Sequence, residues 1–136
     1  MSYLQSTKQV FLTYTGDYIK LLLYADISRE FSSLTFDDAI DSELSIYDTE
    51  GVLRLRKING RVSHSSVVVC NGGIVVLNTS PDFEFDSTNS LVGVVINAGE
   101  TSWFFPGMYS IKLSITFENN RVFTYNYKDA LQILQS

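Results

Sequence analysis

The stretch YSIKLSITF, Tyr109–Phe117, alternates large apolar and small or polar residues without a break. A period of two puts the apolar side chains on one face of an extended strand, whereas a helix needs a period of 3.6. The stretch therefore predicts a strand with Tyr109, Ile111, Leu113, Ile115 and Phe117 facing a core. Glu118-Asn119-Asn120 reads as a turn, and the alternation resumes with Phe123 and Tyr125 against Thr124 and Asn126. A closing hairpin follows from this, with Ile111, Leu113, Ile115 and Phe123 in the core. KDALQILQ after it fits two readings. Leu131 and Leu134 are spaced for a helical turn, while Leu131 and Ile133 suit a strand.

The remainder repeats the theme in shorter runs. KQVFLTY ends at Thr15-Gly16, and DYIKLLLYAD follows. There Ile19, Leu21 and Leu23 share one face. Tyr18, Lys20, Leu22 and Tyr24 make a second face that is only partly polar, which suits cover on both sides. Residues 28–42 are polar and irregular and read as a loop. ELSIYD turns Leu44 and Ile46 inward, and Asp48 to Gly51 forms a turn with glycine available for positive φ. VLRLRKI turns Leu53 and Leu55 inward and its arginines outward. Asn59-Gly60 is a strong hairpin signal leading into RVSHSSVVVC, and Asn71-Gly72-Gly73 separates that run from IVVLN. DFEFD reads as an edge segment with Phe83 and Phe85 inward, and LVGVVIN as a strand with Gly93 at its centre. Eight or nine short strands and no long helical period predict an all-β antiparallel sandwich of about eight strands. Residues 1–136 are read as one domain, with 1–7 as an N-terminal arm.

Reactive groups do not converge in the sequence. The single histidine, His64, has Ser63 and Ser65 beside it, and neighbours on a strand point to opposite faces. His64 and Cys70 share a face but lie roughly 20 Å apart at ~3.3 Å per residue. One histidine and one cysteine cannot complete a four-ligand zinc site. Asp82, Glu84 and Asp86 alternate like the start of a calcium loop, but the required glycine and the twelfth-position acid are missing. The acids Asp37, Asp38, Asp41 and Glu43 read as a solvated loop. Neither phosphate-binding glycine motif occurs. The expectation is a protein that is not an enzyme, with no cofactor and no metal.

Net charge is −5, the reverse of the basic footprint expected of a nucleic-acid binder. One basic cluster, Arg54, Arg56, Lys57 and Arg61, reads as the solvent face of a hairpin. Arg54 and Arg56 share a strand face and suit acidic groups on a neighbouring subunit. No apolar run approaches the ~18 residues of a membrane span, and the first ten residues do not read as a secretory signal. A lone cysteine excludes an intrachain disulfide and suits a reducing cytoplasm. The expected partners exclude nucleic acid and membrane.

Three features carry a resemblance. Gly16-Asp17 precedes an early strand, Glu100-Thr101 follows a later one, and Gly107-Met108-Tyr109 opens the strongest alternating strand. Together with NGGIVV and LVGVVINAGETSWFFPGMYSIKLSI, this pattern resembles the N-terminal domain of the phage baseplate upper protein family and related tail modules. The resemblance spans 16–133. It implies a small Ig-like β-sandwich serving as a structural adaptor in the tail, baseplate or neck of a tailed phage. It further implies contacts with other virion proteins, homo-oligomers in the particle and assembly in the host cytoplasm. It carries over no catalytic residue. Trp103, Phe104 and Phe105, in a loop closed by Pro106-Gly107, are candidate partner contacts along with Arg54 and Arg56. One of the three aromatics is expected inward and at least one exposed. A carbohydrate-binding host-recognition module is the alternative, with Trp103, Phe104, Tyr14, Tyr18 and Tyr24 available for stacking on sugar.

Overall fold

The closing hairpin is the longest paired unit among the described residues. In the computed structural model, which describes residues 10–27, 34–60, 67–70, 73–76, 82–118 and 121–136, strand β9 (Gly107–Phe117) pairs antiparallel with β10 (Arg121–Leu134). Every second residue of β9 from Tyr109 to Phe117 is buried. Phe123 is only partly buried and packs its ring on Phe117, with centroids 5.5 Å apart. The ambiguous tail continues as strand: Leu131 and Ile133 pair with Tyr109 and Gly107 after a bulge between Tyr127 and Leu131. Asp129 takes a positive φ within that bulge, where β10 carries two more residues than β9 and the ladder kinks locally.

The other strands are β1 (Phe11–Tyr14), β2 (Ile19–Tyr24), β3 (Ala39–Tyr47), β4 (Leu53–Gly60), β5 (Val67–Cys70), β6 (Gly73–Val76), β7 (Phe83–Asp86) and β8 (Leu91–Ile96). One sheet has the order β1-β10-β9-β3-β4-β6-β5, and the second β2-β8-β7. The inner faces of the two sheets form one apolar core, with Leu21, Leu23, Val92 and Val94 from the smaller sheet and Leu44, Ile46, Leu55, Ile111, Leu113 and Ile115 from the larger. This is an all-β, Ig-like sandwich. The neighbours β10-β9-β3-β4 and β2-β8-β7 reproduce the G-F-C-C′ and B-E-D arrangement of variable-type immunoglobulin domains.

Several expectations change. The pairing is mixed, because β1 runs parallel to β10 and β4 parallel to β6. β1 hands the chain to β2 in the opposite sheet, so it lies beside β10 without the crossover that sequential parallel neighbours need. Residues 39–42 are the first part of β3 rather than loop. Asn59 and Gly60 are ladder residues opposite Ser42 and Asp41 rather than a hairpin turn. The longer β3 supplies backbone partners that carry β4 through the Asn-Gly pair. β5 and β6 do form an antiparallel pair bracketing 71–72, with Cys70 opposite Gly73. Arg61, Ser63, His64, Ser65, residues 1–9 and the Asn119-Asn120 turn lie outside the described residues.

The outer face of β2 is open. Tyr18 and Leu22 are exposed there. Gly93 accounts for that face: a Cβ on it would stand 2.8 Å from Lys20 Cε. The bare backbone lets Lys20 lie across β8 and pair with Glu84 on β7.

Leu113 is fully buried and Lys112 points to the outer face. Leu113→Ala is expected to cost about 2–5 kcal/mol, and Lys112→Ala well under about 1 kcal/mol. Chemical denaturation of both variants checks this, and equal losses would contradict the assigned facing.

Candidate partner-contact surface

Between β8 and β9 the chain makes a single helical turn, α1 (Ala98–Thr101). Asn97 and Glu100 hold it as a reciprocal cap. Asn97 Oδ1 accepts from the Glu100 N–H at 2.9 Å, and Glu100 Oε1 accepts from the Asn97 N–H at 3.0 Å. An Asn three residues ahead of a Glu satisfies two otherwise orphaned backbone donors in this way.

Glu100 does more than cap. Its Oε1 also accepts from Lys57 Nζ at 2.7 Å, and Lys57 is completely buried. The same ammonium donates to Val95 O at 2.8 Å and pairs with Asp82 Oδ2 at 2.8 Å. An ammonium has three donors and no acceptor, so these three oxygens saturate it. The solvent-face reading of Lys57 is thereby overturned. Strand parity carried the signal, because Lys57 is in phase with Leu53 and Leu55, four and two residues before it.

The Glu100-Thr101 and Gly16-Asp17 pairs meet here. Thr101 Oγ1 donates to Asp17 O at 2.7 Å and accepts from the Gly16 N–H at 3.1 Å. Gly16 has φ +86°, a backbone conformation open to glycine at little cost. The bond ties the end of β1 to α1, so Tyr14 and the aromatic loop sit at the same end of the sandwich. Tyr109 has the role of a tyrosine corner, its hydroxyl donating to Phe105 O four residues upstream near the start of β9. Burial pushes the Tyr109 phenol above its ordinary value.

These anchors sort the three aromatics. Phe104 is 5% exposed and meets Tyr109 edge-on, ring centroids 5.0 Å apart. It is a core residue, which removes it from the candidate contacts and from the sugar-stacking set. Trp103 is 55% and Phe105 76% exposed. Tyr14 and Leu12, on the outer side of edge strand β1, are exposed as well. Side chains of successive residues diverge, so fixing Phe104 inward turns both its neighbours out.

Arg54 and Arg56 point away from the core on β4, and their carboxylate partners are in the same chain. Arg54 Nε and Nη2 donate to Asp48 Oδ2 at 3.0 and 2.9 Å. Arg56 Nε lies 3.1 Å from Glu43 Oε2. Asp82, Glu84 and Asp86 are separately engaged, with Lys57, Lys20 and Asn89. Among the described residues no three metal-ligating groups cluster, and no helix is long and apolar enough to cross a membrane.

No protein-family model matches the chain, and no curated protein matches it.

Two predictions follow from these anchors. Thr101→Val keeps the shape but leaves the Gly16 N–H and Asp17 C=O unpaired, at an expected cost of about 1–3 kcal/mol, measurable by denaturant titration. The Val52 N–H is the largest influence on the Asp48 carboxyl, and with the lesser contributions of Arg54 and the Glu50 N–H it outweighs desolvation and holds the group below its ordinary 3.8. A depressed folded-state value adds stability above pH 3.8 that is lost as pH falls below it. Acid unfolding curves should show that loss in the wild type and less of it in Asp48→Asn.

Proposed function

We propose that this chain is a non-enzymatic structural adaptor of a tailed-phage virion, placed in the tail, baseplate or neck and acting through protein–protein assembly. The observation that carries the reading is the pair of exposed aromatics, Trp103 and Phe105, held beside a rigid anchor. Tryptophan and other aromatics are enriched among the residues that dominate binding at protein interfaces. Phe104, Tyr109, Thr101 and the Glu100 cap fix the loop, so docking orders little additional chain and spends little binding energy on it. The sequence pattern that resembles baseplate modules falls on these same anchors: Gly16-Asp17, Glu100-Thr101 and Tyr109. In this reading the partners are other virion proteins and further copies of the chain, with no nucleic acid, membrane or cofactor involved.

A carbohydrate-binding role is the second reading. It is favoured by the exposure of Tyr14 and Tyr18 alongside Trp103.

Trp103→Ala and Phe105→Ala separate the two, because neither removes a core side chain. Both variants are expected to fold with wild-type melting behaviour and to lose incorporation into particles, while wild type and variants alike fail to bind cell-surface glycans. Wild-type glycan binding that the variants lose, with assembly intact, would overturn the adaptor reading.

A further inference from the structure

A buried lysine amine touching two carboxylates has more chemistry open to it than an ion pair. Lys57 Nζ lies 2.8 Å from Asp82 Oδ2 and 2.7 Å from Glu100 Oε1, within the roughly 2.6–3.2 Å reach that proton transfer requires. The three side chains come from β4, from the residue before β7 and from α1, so only the folded chain assembles them. Lys57 has no exposure to water, Glu100 has 9% of its side chain exposed and Asp82 30%.

We propose that Lys57 and Asp82 condense within the folded chain into an isopeptide bond, with Glu100 as the proton carrier. The two carboxylates are unequal. Glu100 is clamped by the Asn97 N–H as well as by Lys57. Asp82 is the more open of the two, which gives the departing oxygen a route to solvent. A lysine amine becomes a nucleophile when an adjacent base takes its proton, and Glu100 stands at that place. Holding amine and carboxyl in contact replaces a bimolecular encounter with an intramolecular one, which removes much of the entropic part of the barrier.

The bookkeeping closes without an outside reagent. Glu100 takes one proton from the Lys57 ammonium, and the freed lone pair on Nζ attacks Asp82 Cγ to form the C–N bond. Glu100 passes its proton to Oδ2, and the nitrogen releases a second proton to the same oxygen. The Cγ–Oδ2 bond breaks and the oxygen leaves as water. One ammonium and one carboxylate become one amide and one water, no charge is created, and Glu100 is restored. The step happens once per chain and takes no external substrate, so it is a self-modification independent of the adaptor role. The product covalently joins β4 to the start of β7. It closes the chain from Lys57 to Asp82 into a loop, constraining the unfolded state as a disulfide does, in a chain whose single cysteine excludes an internal disulfide.

Intact-mass spectrometry of the purified, folded full-length chain, followed by fragmentation of its proteolytic digest, tests this. The wild type is expected lighter than its sequence by one water, with a branched peptide joining Lys57 to Asp82. Asp82→Ala is expected at full sequence mass. Glu100→Gln preserves the N-cap partner, and it is expected to react at least about 100-fold more slowly, the usual scale for loss of a general base. Wild-type protein that stays at full sequence mass after prolonged incubation in the folded state overturns the proposal. So does a water loss without a branched peptide, or a branch at Glu100. Wild-type kinetics in Glu100→Gln would remove Glu100 from its role.

Discussion

One ammonium group ties together the parts of this sandwich that matter most for its surface. Lys57 is completely enclosed, and an enclosed cation is tolerable only when its donors are matched and its charge is balanced. The matching oxygens come from the end of β8, from α1 and from the residue before β7. β4, the residue before β7 and the consecutive β8–α1 segment are thus pinned to a single point between the sheets. Breaking such a pair strands a charge in the interior, so the arrangement resists partial loosening even where its net contribution over an apolar alternative is small. By holding Glu100, Lys57 also fixes the residue that closes the cap at the start of α1.

From that point the geometry of the aromatic loop follows in short steps. Glu100 anchors the helical turn through its cap and through Lys57. Thr101 binds the turn to the Gly16-Asp17 backbone, and Phe104 drops into the core against Tyr109. The Tyr109 hydroxyl then catches Phe105 O and returns the chain to β9. With these contacts made, Trp103 and Phe105 have only solvent, or a partner, to face. Two exposed aromatics on a loop held at four places form a firm platform, unlike exposed aromatics on a slack loop, which would lose ordering entropy on contact.

The outer faces of the two sheets differ in how they are occupied. On the larger sheet, Arg54 and Arg56 reach Asp48 and Glu43, so strand-borne charge is balanced within the chain. On the smaller sheet, Lys20 crosses Gly93 to Glu84, with Tyr18 and Leu22 open on either side. Such partly exposed ion pairs contribute little to stability. Their effect is to settle the direction of long side chains and keep the strand faces polar beside the apolar end formed by Tyr14, Trp103 and Phe105.

Much of this was legible in the order of residues alone. Alternation from Tyr109 to Phe117, and in Leu44–Ile46 and Leu21–Leu23, sets which side chains face the core, because a strand has only two faces. The same parity put Lys57 in phase with the inward leucines, but its charge led to a solvent-face reading that the structure overturns. Other features needed the folded chain. Asn59-Gly60 is a turn signal by itself, but β3 begins early enough to pair with it, and ladder hydrogen bonds outweigh the local preference. The parallel placement of β1 beside β10 depends on closure of the whole sandwich. Three adjacent aromatics could be known to diverge, but choosing Phe104 as the buried one required Tyr109 to be in place. The convergence of Lys57, Asp82 and Glu100 has no local signature at all, since each lies at least eighteen residues from the next. Local periodicity determined the faces of the strands, and tertiary packing decided which distant side chains would meet.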